Sequence, residues 1–318
     1  MSHLTLPAGD GHQIAISHWP AAGAGRGVLV WLHGMADHGA RYAPLADVLS
    51  KAGWHVLAPD HRGHGASVAE DELRGHFADL AGWDKVLADV GVVIAHAQQR
   101  YPSLPLVLGG HSMGSFISLA FAERHGSALE TPLAGMILCG SDYKHPWLWR
   151  LLTLPVKFAR WRNGPRGTSG LIKTLTFDAF AKKIRHRRTD FDWLSRIQEE
   201  VDKYIADPWC GHDCTTQLWH DLMVGLRQAH GGTQMRRLPL GLPMLLVAGD
   251  SDPMSGNGKG VPALYRALHR AARGPLTFAE FAGGRHEILN DLCRDEVIEE
   301  IGGWLDALPA AERARAAA

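Results

Sequence analysis

Apolar residues along the chain recur in two alternating registers. Short unbroken apolar runs at Gly27–Leu32, 54–58, 106–108, 135–138 and Met244–Gly249 predict strands buried on both faces. Between them lie stretches whose apolar residues fall three or four apart, predicting amphipathic helices: Leu45, Val48, Leu49 and Ala52; Val86, Val90, Val93, Ile94 and Ala97; Leu264 and Leu268; Val297, Ile298, Ile301 and Leu305. Ile14 and Ile16 alternate with polar residues in an opening edge strand, and Leu276–Phe281 predicts a last strand. From Ser141 to about residue 235 the β/α rhythm stops and gives way to amphipathic helical pieces rich in aromatics. The pattern predicts an α/β protein with a mostly parallel, doubly wound sheet built from residues 1–140 and 236–318. A helical cap, 141–235, interrupts it, and ligand sites belong at the carboxyl ends of the strands.

Composition narrows the class without changing this picture. The 318 residues suffice for one large domain with an insertion. Lys plus Arg (33) balances Asp plus Glu (33), which argues against a nucleic-acid partner. Residues 1–13 lack a basic segment followed by an apolar one, and no stretch approaches bilayer-spanning length, so a soluble, cytoplasmic protein is expected. Four scattered cysteines do not make a disulfide scaffold. Cys210, His212 and Cys214 alternate closely enough to raise a metal site, but the spacing is not that of a zinc knuckle and no fourth ligand lies nearby in sequence. They read as packing residues, and no metal is assigned.

The chemistry gathers around Gly110-His111-Ser112-Met113-Gly114, where a strand runs into a sharp turn and then a helix. Two glycines let the backbone reverse, pushing Ser112 to the tip beside the first helical N–H groups, where a nucleophile belongs. A serine hydroxyl needs a base, and the base needs an acid to hold its tautomer. Of the 19 histidines, His286 alone lies between the last predicted strand and the terminal helix, which makes it the candidate base. Others, including His12, His125 and His230, occupy surface or loop settings. Asp250 and Asp252 compete for the acid; Asp252 is favoured because Asp250 abuts the strand, where a turn-forming Asp is common. The oxyanion donors are the N–H of Met113 and, from the loop His33-Gly34-Met35, the N–H of Met35, with His33 bracing the loop. Gly63-His64-Gly65 shapes a loop at the domain rim. Such chemistry needs no metal or organic cofactor.

Together these motifs resemble the serine α/β-hydrolases of the monoglyceride lipase and bacterial lysophospholipase type, often grouped with the serine aminopeptidase clan. His33-Gly34-Met35-Ala36-Asp37-His38 with Arg41-Tyr42 resembles that family's oxyanion loop, and Asp60-His61-Arg62-Gly63-His64-Gly65-Ala66-Ser67 its next loop. Gly110–Gly114 resembles its nucleophile turn, Gly249-Asp250-Ser251-Asp252-Pro253 its acid loop, and Gly284-Arg285-His286-Glu287 its histidine loop. The resemblance implies an α/β-hydrolase fold and a carboxylic ester hydrolase with the triad Ser112, Asp252, His286. Its substrate would be a small acyl ester of monoglyceride or lysophospholipid kind. A serine peptidase of the same clan is the rival enzyme, disfavoured by a cap that is basic where a substrate amine needs acids; a noncatalytic binding protein on the same fold is the rival of another class.

In the cap only Asp207-Pro208-Trp209-Cys210-Gly211 is similar to a family segment. Its Trp147, Trp149, Trp161, Trp193, Trp209 and Trp219, with Leu151, Leu152, Leu154 and Val156, suit the wall of an acyl site. The string Lys157, Arg160, Arg162, Arg166, Lys182, Lys183, Arg185, Arg187 and Arg188 suits transient contact with an anionic lipid surface. Nothing in the pattern sets an oligomeric state.

Overall fold

A computed structural model describes residues 1–70, 72–271 and 274–308. Eight strands form one sheet: β1 (Ser2–Pro7), β2 (Gln13–Trp19), β3 (Gly27–Leu32), β4 (Trp54–Pro59), β5 (Leu106–His111), β6 (Gly135–Cys139), β7 (Met244–Gly249) and β8 (Leu276–Phe281). Their order is β1-β2-β4-β3-β5-β6-β7-β8; β2 pairs antiparallel with β1 and β4, and every other pairing is parallel. The central strands are buried on both faces, and successive residues feed opposite layers. Val28, Val30 and Leu32 enter one core while Leu29 and Trp31 enter the other; Leu106 and Leu108 oppose Val107 in the same way.

Helices α1 (Ala43–Lys51) and α11 (Arg294–Asp306) cover one face. Helices α2 (Gly82–Arg100), α3 (Met113–His125) and α10 (Gly260–Ala271) cover the other. The fold is therefore the expected α/β-hydrolase type of doubly wound sheet. One element differs from expectation: β2 is not the edge, because β1 pairs outside it from Ser2↔His18 to Pro7↔Gln13. Only Leu4 and Leu6 of β1 pack against the core, and both remain partly exposed, so β1 leaves almost no apolar trace in the sequence.

Between β6 and β7 the chain forms six helices and no strand among the described residues: α4 (Pro146–Asn163), α5 (Gly170–Leu175), α6 (Phe177–Lys182), α7 (Gln198–Ala206), α8 (Thr216–Ala229) and α9 (Gly232–Met235). Helices α4 and α8 pack against each other, and α8 rests on α3. Strand order reverses between β3, which pairs with the earlier-formed side through β4, and β5. That switch opens a crevice at the carboxyl ends of the strands. Among the described residues no helix is long and apolar enough to cross a membrane.

Candidate active site

Ser112 stands in that crevice, between β5 and α3, with φ 52° and ψ −119°. This is a conformation that L residues rarely hold, and close backbone packing enforces it. A Cβ on Gly110 would lie 2.5 Å from Gly114 carbonyl atoms, and one on Gly114 would lie 2.1 Å from the Leu32 carbonyl oxygen. The glycines thus let β5, the start of α3 and the end of β3 meet.

The Ser112 hydroxyl donates to His286 Nε2 at 2.9 Å, and His286 Nδ1–H donates to Asp252 Oδ2 at 3.0 Å. Asp252 Oδ1 accepts a further bond from the Met254 N–H at 2.8 Å. Burial disfavours charge on both His286 and Asp252, yet their mutual attraction and hydrogen bond win. The His286 pKa is raised above 6.5 and the Asp252 pKa lowered below 3.8. Asp250 is elsewhere occupied: its carboxylate accepts from the Gly283 N–H at 2.7 Å and from the Ser251 hydroxyl at 2.9 Å. The chain thus brings Ser112, His286 and Asp252 together and leaves Asp250 as a turn residue.

Met35 and Met113 both flank Ser112 in the lining of the crevice, and neither amide donates a hydrogen bond to a described residue. Met113 opens α3, where first-turn N–H groups lack helical partners. The loop carrying Met35 is held from several sides. His33 Nε2 accepts from the His61 N–H at 2.9 Å, and His33 Nδ1–H donates to the Gly34 carbonyl at 2.7 Å. Ala36, at φ 51°, gives its carbonyl to the Gly211 N–H and the Tyr204 hydroxyl, each at 3.0 Å. Gly63, His64 and Gly65 do not line the crevice; their loop is organised by Asp60, which accepts from the N–H groups of Gly39 and Ala66.

Two supporting networks were not legible in the sequence. Arg41 donates two bonds to Glu287, at 2.8 and 2.7 Å, and one to Asp37 at 3.0 Å, tying the Met35 loop to the histidine loop. Both carboxylates are buried and Arg41 is nearly so. Desolvation opposes both carboxylates' charge, but Arg41 holds the pKa values of Asp37 and Glu287 below their ordinary range. Separately, residues 191–196 clasp the histidine loop: the Glu287 N–H donates to the Leu194 carbonyl at 2.8 Å, Arg285 donates to the Asp192 and Ser195 carbonyls, and Trp193 lies over His286 with ring centroids 5.1 Å apart. His230 also departs from expectation. It is buried, and its Nδ1 accepts from Trp149 Nε1–H at 2.8 Å behind the chamber wall.

Space around Ser112 divides in two. A lobe of about 100 Å³ lies toward Asp37, Tyr204 and residues 211–213; a chamber of about 660 Å³ lies toward α4 and α8, lined by Phe116, Trp149, Leu152, Val156, Trp219, Leu222 and Leu226. Of the tryptophans expected in an acyl wall, Trp149, Trp193 and Trp219 line this chamber. Trp147 and Trp161 instead face solvent with Leu151 and Leu154, and Trp209 sits at the rim, edge-on to His38. The basic string is also divided. Lys183 turns into the chamber, where it donates to the Pro253 carbonyl, while Arg166, Arg187 and Arg188 pair with Asp79, Asp190 and Asp202.

Comparison with known proteins identifies the family of the chain. The family model described as "Serine aminopeptidase, S33" matches residues 23–293. The chain is 28% identical to a monoacylglycerol lipase of Mycolicibacterium smegmatis over 300 residues, 93% of each chain. It is 29% identical to the monoglyceride lipase of Rattus norvegicus over 305 residues, 93% of this chain and 88% of that one. Among solved structures, a highly thermostable carboxyl esterase from Bacillus coagulans in complex with glycerol superposes with a TM-score of 0.87 at 26% identity, covering 96% of this chain and 98% of the other.

Proposed function

The chain belongs to the serine aminopeptidase S33 family, and from that membership we propose that it is a carboxylic ester hydrolase working through an acyl-enzyme on Ser112. The observation that carries the reading is the continuous hydrogen-bond chain from Ser112 through His286 to Asp252, opening on an apolar chamber. Ser112 Oγ attacks the ester carbonyl carbon as its proton passes to His286 Nε2. Asp252 stabilises the resulting imidazolium. The carbonyl oxygen, now negative, takes the N–H groups of Met35 and Met113. Collapse of the intermediate expels the alcohol, which receives the proton from His286. Water then repeats the sequence on the acyl-enzyme and releases the carboxylic acid.

Residues 141–235 act in this reading as a cap inserted between core segments 1–140 and 236–318, and they supply the acyl chamber. A volume of about 660 Å³ lies within the range typical of small-ligand sites. The smaller lobe takes the alcohol. Its lining includes Asp37, Asp178, Asp190, Asp213 and Glu287 against Lys173; Arg41 pairs with Asp37 and Glu287 and Arg187 with Asp190, which leaves the lobe net acidic. A compact neutral polyol such as glycerol fits; a phosphate-bearing head group is repelled. Monoglycerides are therefore favoured over lysophospholipids, in keeping with the relatives' names.

The test combines fluorophosphonate labelling with hydrolysis of p-nitrophenyl esters from acetate to palmitate, and of monoglycerides beside lysophospholipids. Each methylene buried contributes about 0.8 kcal/mol, so kcat/KM should rise about fourfold per carbon until the chamber is full. Labelling that persists in Ser112→Ala would refute the nucleophile, and faster turnover of lysophospholipids would refute the substrate class.

A further inference from the structure

A second cluster lies beside the crevice, where residues 212–214 meet the loop after β4. His64, after β4, faces His212 with ring centroids 5.3 Å apart, and Cys214 adjoins both. One ligand atom from each of the three lies within 4.8 Å of the others. The ring tautomers follow from their neighbours. His64 Nδ1 is 3.2 Å from the Arg62 carbonyl oxygen and His212 Nδ1 is 3.2 Å from that of Trp209. A carbonyl only accepts, so Nδ1 carries the hydrogen in both rings and Nε2 presents a bare lone pair. Both Nε2 atoms are buried without a hydrogen-bond partner. Two such acceptors side by side are costly to leave unsatisfied. Desolvation keeps both rings neutral, as ligands require, with His64 held well below 6.5 and His212 at about 4.

We propose that His64 Nε2, His212 Nε2 and Cys214 Sγ form a binding site for a borderline-soft divalent cation, with zinc the best match. Two imidazoles and a thiolate are zinc's preferred donors, and the backbone carbonyls behind each ring are the usual means of orienting ligating histidines. Tetrahedral zinc holds such ligand atoms about 3.3 to 3.8 Å apart, so ligand atoms already within 4.8 Å of one another need at most a small closure on binding. The loop 211–213 can supply that movement, since Gly211 and Asp213 are exposed and His212 is half-buried. It also supplies an entry path. His212 lines the smaller lobe, from which water fills the fourth position. Binding converts the Cys214 thiol to thiolate with release of one proton. Asp37 and Asp213 favour the added charge, and Arg74 opposes it.

The neighbouring set His38, Asp207 and Cys210 is weaker, because His38 Nε2 and Asp207 already bond to each other at 2.9 Å. Sequence spacing pointed only to Cys210, His212 and Cys214. The fold replaces Cys210 with His64, which lies 148 positions before His212. The site would fasten the loop after β4 to residues 207–215, and through the contact between Ala36 N–H and Cys214 it would brace the loop that carries Met35.

Metal-stripped full-length protein titrated with Co²⁺ should bind one equivalent, with a sulfur-to-cobalt charge-transfer band in the near ultraviolet that Zn²⁺ abolishes by displacement. Zn²⁺ should raise Tm, and increasingly so as its free concentration rises. Both signals should vanish in Cys214→Ser and in His212→Phe, which keeps a ring on an exposed loop and so tests the site even where Cys214→Ser fails to fold. Both should persist in Cys210→Ser. Absence of the charge-transfer band in the wild type overturns the proposal. So does its survival in either variant, or its loss in Cys210→Ser alone, which would move the metal to the His38 set.

Discussion

The Ser112 hydroxyl and the His286 imidazole act as one unit, so Ser112→Ala and His286→Ala should each remove most ester hydrolysis without unfolding the protein. The double variant should be little worse than either; losses that multiply would count against the assignment. Asp252→Asn should lower turnover by about 10³ to 10⁴, because an amide can hold the wrong tautomer and carries no charge. Asp250→Asn should leave turnover nearly intact and cost about 1 kcal/mol of stability through its bond to the Gly283 N–H. The pH profile separates the roles further. The His286 pKa is raised by Asp252 against the effect of burial, so protonation blocks Nε2 at a pH above 6.5 and kcat/KM should fall on the acid side with a midpoint above that value. In Asp252→Asn burial is opposed only by the weaker pull of Glu287 and Asp37. The acid limb should move to lower pH while the plateau drops, and a stationary midpoint would show that Asp252 does not set the titration.

At the scale of elements, the turn between β5 and α3 works because β3 comes within contact of the first turn of α3. Alanine is the best helix former, yet Gly114→Ala would place a Cβ 2.1 Å from the Leu32 carbonyl oxygen and force β3 away. A loss of about 1 to 3 kcal/mol is expected, with a fall in kcat because Met35 moves with β3; unchanged Tm and rate would refute the packing argument. The Arg41 cluster predicts a second effect. Arg41→Met strands two buried carboxylates and should cost about 3 to 5 kcal/mol by denaturant unfolding. Asp37 and Glu287 have lowered pKa values in the folded state, so the stability they contribute is present above pH ~4 and is lost as pH falls through the folded values. The variant should therefore show a shallower loss of stability in acid than the wild type. Local signals explain what was legible from sequence: β3, β5 and β7 are short apolar runs, and the Ser112 turn carries its own glycines. The Arg41–Glu287 pair spans 246 positions, and the 191–196 clasp works largely through backbone carbonyls, so neither leaves a periodicity to read. Strand β1 escaped because pairing, not burial, holds it.

On the scale of the whole molecule, the outward face of α4 presents Trp147, Leu151, Leu154, Phe158 and Trp161, each more than half exposed and spaced four and three residues apart. A stripe of this size on a helix with a buried opposite face is unusual for a surface in water alone. The exposed residues Arg150, Lys157 and Arg162 lie on the same helix, while Arg166, Arg187 and Arg188 are already paired within the molecule. We therefore propose that any lipid contact runs through α4 rather than through the whole basic string. Each cation near an anionic surface contributes about 1 kcal/mol, screened beyond a Debye length of about 10 Å at 0.1 M salt. Hydrolysis of a monoglyceride presented in anionic vesicles should slow as salt rises, by up to about 10²-fold for three such groups, while a short soluble ester is cleaved at a constant rate. Lys157→Gln with Arg162→Gln should flatten the salt dependence, and Arg187→Gln with Arg188→Gln should leave it unchanged. Trp161→Ser should weaken vesicle binding at every salt concentration, since its contribution is apolar burial that ions do not screen. Equal salt sensitivity for both substrates, or a flattened response from the Arg187 and Arg188 pair, would remove α4 from the membrane without touching the chemistry at Ser112.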